Sequence, residues 1–513
     1  MIILLISVFG FVFYVTLRQY RLYLQLKKCG LNPQFDIYGF TGLFWLDRCD
    51  SHENYGEICK KIENNTFSLM RGSRQVVVVS DVEMIHSIST KYYDCFHSRI
   101  PEIFEDCPIS SETIHMFAAR GERWKRLRTL TSFALSTAKL KTLFPTMDTC
   151  VSKFMEHVNK HGNDTVSIYG SHRLFQNHTS FVMVQCVYGY SGDENYSLEN
   201  NQFLTCAMNA FGKFAEFKHN LWEKISFIFT SLRYFLADVS NFIMSNKSRK
   251  DFLDHLLCLI SVFYLDFSTE QKNYSILKFF YEHRNNERLQ ENGNGKIDMK
   301  NVRVEKRVSN QEIVAQCKFI SVAGFDTTAN TLTLLFNFLA IFPDVQEKLY
   351  EEIRSLEDFS FETLCELPYL GFCIFETLRL YPHASPLQHR ICTFDCKIED
   401  MEFKNGFETI LNPWMAHHDP LIWGNDVETF RPTRFTELTE IQKRAFMPFG
   451  VGPRQCVGMR FAILEIKTTV FRILQEYSVH CNDKTRLDVR MTTRDTGTIW
   501  PDADLGFILK RRN

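Results

Sequence analysis

The strongest pattern lies at the start of the chain. Residues 1–17 carry no charged side chain, and Arg18, Arg21, Lys27 and Lys28 follow directly. As a helix the run reaches about 26 Å, near the lower bound for crossing a bilayer. Basic residues just past such a run favour the cytosol for everything downstream. A cleaved secretory signal puts its charge before the apolar stretch and small residues after it, and neither is present. The pattern predicts an uncleaved anchor over 1–17, with Tyr14, Tyr20 and Tyr23 suited to the interface, and a linker over 18–35. Asn-x-Ser/Thr sequences such as Asn177-His178-Thr179 would then face the side without glycosylation.

Past the linker the pattern is mixed up to Gln75-Val76-Val77-Val78-Val79-Ser80, a strand by its β-branched run. Apolar spacing then becomes helical over 120–142, 179–188 and 203–246. Ser309 and Glu312 have capping-box spacing at the head of a long helix. That helix is apolar nearly all round, as expected of one buried inside a large protein, and it should run to about Phe342. Pro343 stops it, and a helix restarts at Asp344. Short strands and turns follow Pro382, then a coil rich in aromatics, Pro and Gly, then a last helix over 457–476. Residues 257–291 mix an apolar run with a polar tract and fit neither pattern; they read as an atypical insertion. The fold class is mainly α with a smaller β region, in one large domain over 36–513.

Composition narrows the function. Lys plus Arg total 59 against 60 Asp plus Glu, which removes the electrostatic footprint of a nucleic-acid binder. The 16 cysteines form no Cys-x-x-Cys pair, so a zinc ribbon is not indicated. A disulfide framework belongs to small secreted chains, and this one has 513 residues with an apolar core. Most of the cysteines therefore read as buried reduced thiols.

Cys456 needs a separate account. It ends the string Phe449-Gly450-Val451-Gly452-Pro453-Arg454-Gln455-Cys456 and opens a helix. Glycines allow tight, close-approach backbone, and a helix N-terminus stabilises a thiolate. Gly458 leaves room for a flat ligand, and Arg454 offers a cation to an anionic group beside it. These demands fit a haem with its iron on the sulfur and a propionate on the arginine.

The string resembles the haem-binding loop of the cytochrome P450 family, and Met459-Arg460-Phe461-Ala462 is similar to the microsomal drug- and steroid-oxidising clan. The resemblance extends along the chain. Ala323-Gly324-Phe325-Asp326-Thr327-Thr328, midway along the long helix, looks like the oxygen-activation motif. It implies that Thr327 holds dioxygen and its water while Asp326 delivers protons. Glu376-Thr377-Leu378-Arg379 resembles the family's Glu-x-x-Arg pair, joined by Arg434 of Pro432-Thr433-Arg434-Phe435 in a structural triad. Trp124 and Arg128, on one helix face, resemble the residues that grip a haem propionate. Arg390 matches a further propionate ligand, and Phe449 opens the haem loop. Lys125, Arg126, Lys139 and Lys141 are either the face that receives an acidic electron donor or a solvated basic face.

The resemblance implies a membrane-bound haem b monooxygenase of the endoplasmic reticulum, with its catalytic domain in the cytosol. It would use O2 and electrons from NADPH through NADPH–cytochrome P450 reductase, with cytochrome b5 as a second donor. Its substrate would be a small apolar molecule, since Ile103, Phe104, Phe211, Phe214, Phe319, Ile320, Ala323, Leu387 and Ile499 supply the expected pocket walls. Two other readings remain open: a haem-thiolate isomerase or dehydratase, which usually lacks the acid–threonine pair, and an inactive haem-binding paralogue. Three departures stand out. The proline-rich hinge is reduced to Pro33, residues 258–287 have no family counterpart, and the run from Pro382 to Gln388 is longer than usual.

Overall fold

The computed structural model describes residues 2–34, 65–100, 111, 114–160, 162, 164–189, 274–284, 298, 301–356, 358–493 and 498–512. Helix α1 spans Ile2–Lys28. It does not end near Leu17, and the expected linker is largely helix docked on the domain. The docking is specific. Arg18 Nη1 donates to Ser73 Oγ at 2.9 Å, and Gln75 Nε2 donates to the Leu22 carbonyl at 2.9 Å. Leu26, Cys29 and Leu31 are buried, and Pro33 bridges to Ser68. Burying those apolar groups is what keeps the segment helical where a free linker would fray. Among the described residues, no single helix is long and apolar enough to cross a membrane.

The docked segment rests on a four-stranded sheet. Strand β1 (Thr66–Arg71) pairs antiparallel with β2 (Arg74–Val79). The run of valines places β2 at the centre, where it pairs parallel with the strand Glu408–Leu411, which in turn pairs antiparallel with His389–Ile391. Arg390, on that edge strand, is thereby fixed opposite Thr409.

The helical body surrounds one long helix. The stretch expected over 120–142 divides into α2 (Gly121–Ala134) and α3 (Thr137–Lys160). The break falls where Leu135 N–H bonds the Thr131 carbonyl and Ser136 N–H the Phe133 carbonyl, a tightened last turn. Helix α4 (Ser171–Met183) runs into a π turn over Val184–Tyr188 and packs along the central helix α5 (Asn310–Ile341). The capping box at Ser309 and Glu312 is present. Helix α6 (Pro343–Arg354) carries Pro343 in its first turn, where a missing N–H costs nothing. Helices α7 (Pro368–Leu380) and α8 (Met459–Glu476) complete the core. Part of the atypical segment is core as well: Ile276–Glu282 is a helix whose Ile276, Leu277, Phe279 and Phe280 are buried in the main cluster. Residues 257–273 and 285–291 of that segment, and the helix expected over 203–246, lie outside the described residues.

Glu312 does more than cap. Its Oε1 lies 2.8 Å from Arg126 Nη2 and 2.9 Å from Arg123 Nε. Arg126 is therefore an internal ion-pair partner and no part of a basic docking face. Burial alone would raise the Glu312 carboxyl, but its bonds to Arg126 and the charges of Arg126 and Arg123 outweigh that and hold it below the ordinary range. A depressed carboxylate contributes stability that is present above its unfolded pKa and lost as pH falls through its folded one. Glu312→Gln strands Arg126 and should cost about 3–5 kcal/mol at neutral pH. Chemical denaturation at neutral and acid pH should show the gap between wild type and variant closing as pH drops below the usual carboxylate range.

Candidate active site

The loop before α8 is shaped by two close approaches. Gly450 and Gly452 adopt φ of 72° and 71°, a conformation that costs other residues about 1–3 kcal/mol. A Cβ on Gly452 would lie 2.1 Å from the Ser89 carbonyl oxygen, so the loop presses directly on backbone. Gly452→Ala should lower the thermal midpoint measurably and displace the loop, whereas Gly406→Ala, also at positive φ but with open space around it, carries the conformational cost alone. The Cys456 N–H closes the turn on the Phe449 carbonyl at 2.8 Å, which is the part Phe449 plays here.

Cys456 stands just ahead of α8. It is solvent-accessible. Burial pushes its thiol up, while the backbone N–H groups of Gly458 and Met459 and the charges of Arg128 and Arg99 pull it down. A Cβ at Gly458 would stand 3.9 Å from the sulfur, so glycine leaves that side clear.

Four arginines gather around this loop. Arg454 is buried and donates to the carbonyls of His97 (2.9 Å), Met116 (3.2 Å), Phe117 (3.1 Å) and Ala119 (2.7 Å). Its guanidinium lies 4.4 Å from the centre of the Trp124 ring. Arg128 Nη1 donates to the Gln455 carbonyl at 2.7 Å. Arg390 donates to the His389 carbonyl at 2.8 Å and keeps a buried Nε with no partner. Arg99 donates to the Leu387 carbonyl and stacks on Phe117 at 4.1 Å. Burial lowers Arg454 to about 9 and Arg390 to about 10, so both stay charged at neutral pH. The neighbouring Tyr93 is pushed up to about 12 and His97 down to about 4, both by burial, so neither carries charge there. Among the described residues, no carboxylate is among the groups whose charge bears on Arg454, Arg390 or Arg128. Buried like charges of this kind call for an anionic partner.

The cluster reaches the central helix through aromatic rings. Phe117 lies 5.6 Å from Phe319 of α5, and His115 stacks on Phe319 at 4.6 Å. About two turns on, the Thr327 hydroxyl donates to the Ala323 carbonyl at 2.9 Å. Asp326 points elsewhere. It is 3 % exposed and bonded to Gln176 of α4 at 2.9 Å.

The triad expected at residues 376, 379 and 434 is assembled. Glu376 lies 2.8 Å from Arg379 Nε and 3.2 Å from Arg434 Nε, all three buried. The two guanidiniums also donate to the carbonyls of His417, Val427, Trp423 and Asp426. His417 passes the restraint onward: its Nε2 accepts from Met447 N–H at 2.9 Å, at the start of the cysteine loop.

A family model described as cytochrome P450 matches residues 33–504. The chain belongs to the cytochrome P450 family. Among curated proteins it is 29% identical over 465 residues to cytochrome P450 CYP13A2 of Caenorhabditis elegans, covering 85% of each chain. It is 30% identical over 452 residues to CYP13A3 of the same nematode, covering 82% of each. Membership makes the protein a P450 monooxygenase with haem b held through a cysteine thiolate. The structure fits that group: an accessible sulfur just ahead of a helix, a glycine beside it, and Arg454, Arg390 and Arg128, on whose charge no carboxylate among the described residues is seen to bear.

The site also holds residues that the sequence did not single out. Arg99, Tyr93, His389 and Phe117 join the cluster, and no local pattern marks them. Of the expected pocket walls, Phe319, Ile320, Ala323, Leu387 and Ile499 are described; Ile103, Phe104, Phe211 and Phe214 lie outside the described residues. Of the basic face, Lys141 pairs with Glu362 and Lys139 lies 4.4 Å over the Tyr274 ring.

Proposed function

We propose that this P450 inserts one oxygen atom from O2 into a small apolar substrate, with electrons from NADPH delivered by NADPH–cytochrome P450 reductase and, secondarily, by cytochrome b5. The observation that carries the reading is the accessible Cys456 just ahead of a helix, beside Arg454, Arg390 and Arg128, on whose charge no carboxylate among the described residues is seen to bear. Cys456 is the proposed thiolate ligand. Arg454, Arg128, Arg390 and Trp124 form the edge that takes the propionates, with Arg390 offering its unpartnered Nε. The bound haem supplies oxygen activation. The chain's own residues set position and proton delivery. Thr327 holds its hydroxyl against the Ala323 carbonyl, Asp326 stores a proton one residue away, and Phe319 and Ile320 exclude water from the apolar side. Residues 1–17 are proposed to anchor the domain in the endoplasmic reticulum with its bulk in the cytosol, by their lack of charge and the basic residues that follow. An isomerase or dehydratase is the weaker reading, because the Asp326–Thr327 pair is intact.

The test is reconstitution of the full chain with reductase, NADPH and a panel of apolar compounds. Substrate-dependent NADPH oxidation with an oxygenated product is expected. Asp326→Asn should lower product formation by about 10²-fold, as expected for losing a proton-transfer group. Rearrangement of a peroxide without NADPH would favour the isomerase reading instead.

A further inference from the structure

Asp326 is buried, and among the described residues Gln176, His172 and Thr498 meet its carboxylate oxygens. Its Oδ1 accepts from Gln176 Nε2 at 2.9 Å and lies 3.4 Å from His172 Nε2, while its Oδ2 lies 3.4 Å from Thr498 Oγ1. Gln176 and Thr498 do not change protonation in the working pH range. His383, which also feels the Asp326 charge, is wholly buried, is driven down to about 3 by that burial, and is bonded to Thr331 Oγ1 at 3.2 Å. It stays neutral. His172 differs from all three. Its side chain keeps 18% exposure against 4% for that of Asp326, while its Nε2 is sealed on the inner side.

The position is built rather than incidental. His172 and Gln176 stand four residues apart on α4, so both reach the same carboxylate oxygen. The His172 ring meets the Trp500 ring edge-on at 4.7 Å, and Trp500 Nε1 donates to Thr498 Oγ1 at 3.2 Å. One side of the imidazole is thus walled by an aromatic that also ties down the other Asp326 contact. Among the described residues, the charged and titratable groups around it include Asp326 from α5, His383 from the turn after α7, and Asp504, whose Oδ1 lies close to Gly170 at the head of α4.

We propose that His172 is the solvent-side proton donor to Asp326, a positioning residue that feeds the oxygen reaction through that carboxylate. This rests on the reading of Asp326 as the proton store. The step is a simple transfer. A water-borne proton converts the exposed imidazole to imidazolium. A small turn of the ring closes the 3.4 Å gap. The Nε2–H bond breaks as an O–H bond forms on Asp326 Oδ1, and the ring returns to neutral. Gln176 holds the carboxylate in place during the exchange. Nothing is oxidised or reduced.

The experiment uses the holoenzyme with reductase, and compares wild type, His172→Gln, His172→Phe and Asp326→Asn. His172→Phe keeps the ring against Trp500 and so guards against a packing artefact. Product per NADPH should fall about tenfold at neutral pH in either His172 variant, with hydrogen peroxide released in its place. The wild-type pH dependence of this ratio should flatten. The carbon monoxide difference spectrum should not change. A second readout does not depend on turnover: thermal midpoints of the wild type, the two single Gln and Asn variants and their double variant across pH. Non-additivity between the two sites should appear and should change with pH. The proposal is overturned if the His172 variants keep the wild-type ratio and pH profile, or if the midpoints add at every pH. Asp326→Asn separates the two levels. A variant with impaired coupling beside unaffected His172 variants sinks His172 alone, whereas an unaffected Asp326→Asn sinks the proton-store reading as well.

Discussion

With Cys456 replaced by alanine, the reduced, carbon monoxide-treated protein should lose its strongly red-shifted Soret band and keep its fold. The structural grounds are local. The bonds that shape the loop are backbone bonds: Cys456 N–H to the Phe449 carbonyl at 2.8 Å, and Gln455 N–H to the Gly452 carbonyl at 3.0 Å. Neither needs the sulfur. Arg454 clamps the loop through its own four carbonyl bonds, so removing one thiol leaves the scaffold intact. The arginine cluster still attracts the cofactor's carboxylates, so some haem should remain bound with an unshifted band. Thermal midpoints should therefore differ little while the spectrum changes completely. Cys481→Ser is the control, since that thiol is exposed and donates to the Ala340 carbonyl, away from the loop. A red-shifted band that persists in Cys456→Ala would mean that another residue ligates the iron.

Glu376→Ala should be the most destabilising single change in the helical body. The carboxylate neutralises two guanidiniums at once, Arg379 at 0% and Arg434 at 2% side-chain exposure. Removing it leaves Arg379 buried without its carboxylate partner and Arg434 with Asp426 alone at 3.2 Å, and breaking such a buried pair typically costs about 3–5 kcal/mol. Arg431 N–H also loses its acceptor, which lay 3.1 Å away. Denaturant titration should show a lower midpoint with an unchanged slope. Haem should dissociate faster, because His417 bonds both the Arg379 carbonyl and Met447 N–H and so transmits the disturbance to the cysteine loop. Glu376→Gln should be milder, as it keeps the shape and one acceptor oxygen. Equal stability of Glu376→Ala and wild type would show that the triad does not lock the loop.

How much could be read from the sequence follows from the range of each interaction. The β2 valines, the capping box at Ser309 and the stop at Pro343 are encoded within a few residues, and each was legible. The cysteine loop and the Glu376–Arg379 pair were legible as motifs. Charge was misread where its partner is remote. Arg126 looks like part of a basic face, yet its carboxylate partner lies 186 residues away. Arg99 had no signal at all, since its acceptor at Leu387 is 288 residues off. The helical continuation to Lys28 depends on sheet contacts 53 residues downstream, which apolar spacing near the N-terminus does not record. The break at Leu135 and Ser136 is a matter of turn geometry, and the helix over Ile276–Glu282 is too short for its periodicity to stand out from the mixed sequence around it.

The clamp made by Arg454 also sets an order of events. Its four carbonyl acceptors come from residues 335 to 357 positions earlier in the chain. A chain growing from its N-terminus makes residues 97–119 long before their guanidinium exists. Until then the turn around Met116 lacks the donor that gathers its carbonyls. Closing so large a loop is entropically costly and kinetically slow. The cofactor cradle is therefore one of the last parts of the molecule to take shape, and a chain that terminates early within the cysteine loop should be cut by protease between residues 97 and 119 far faster than the full-length protein.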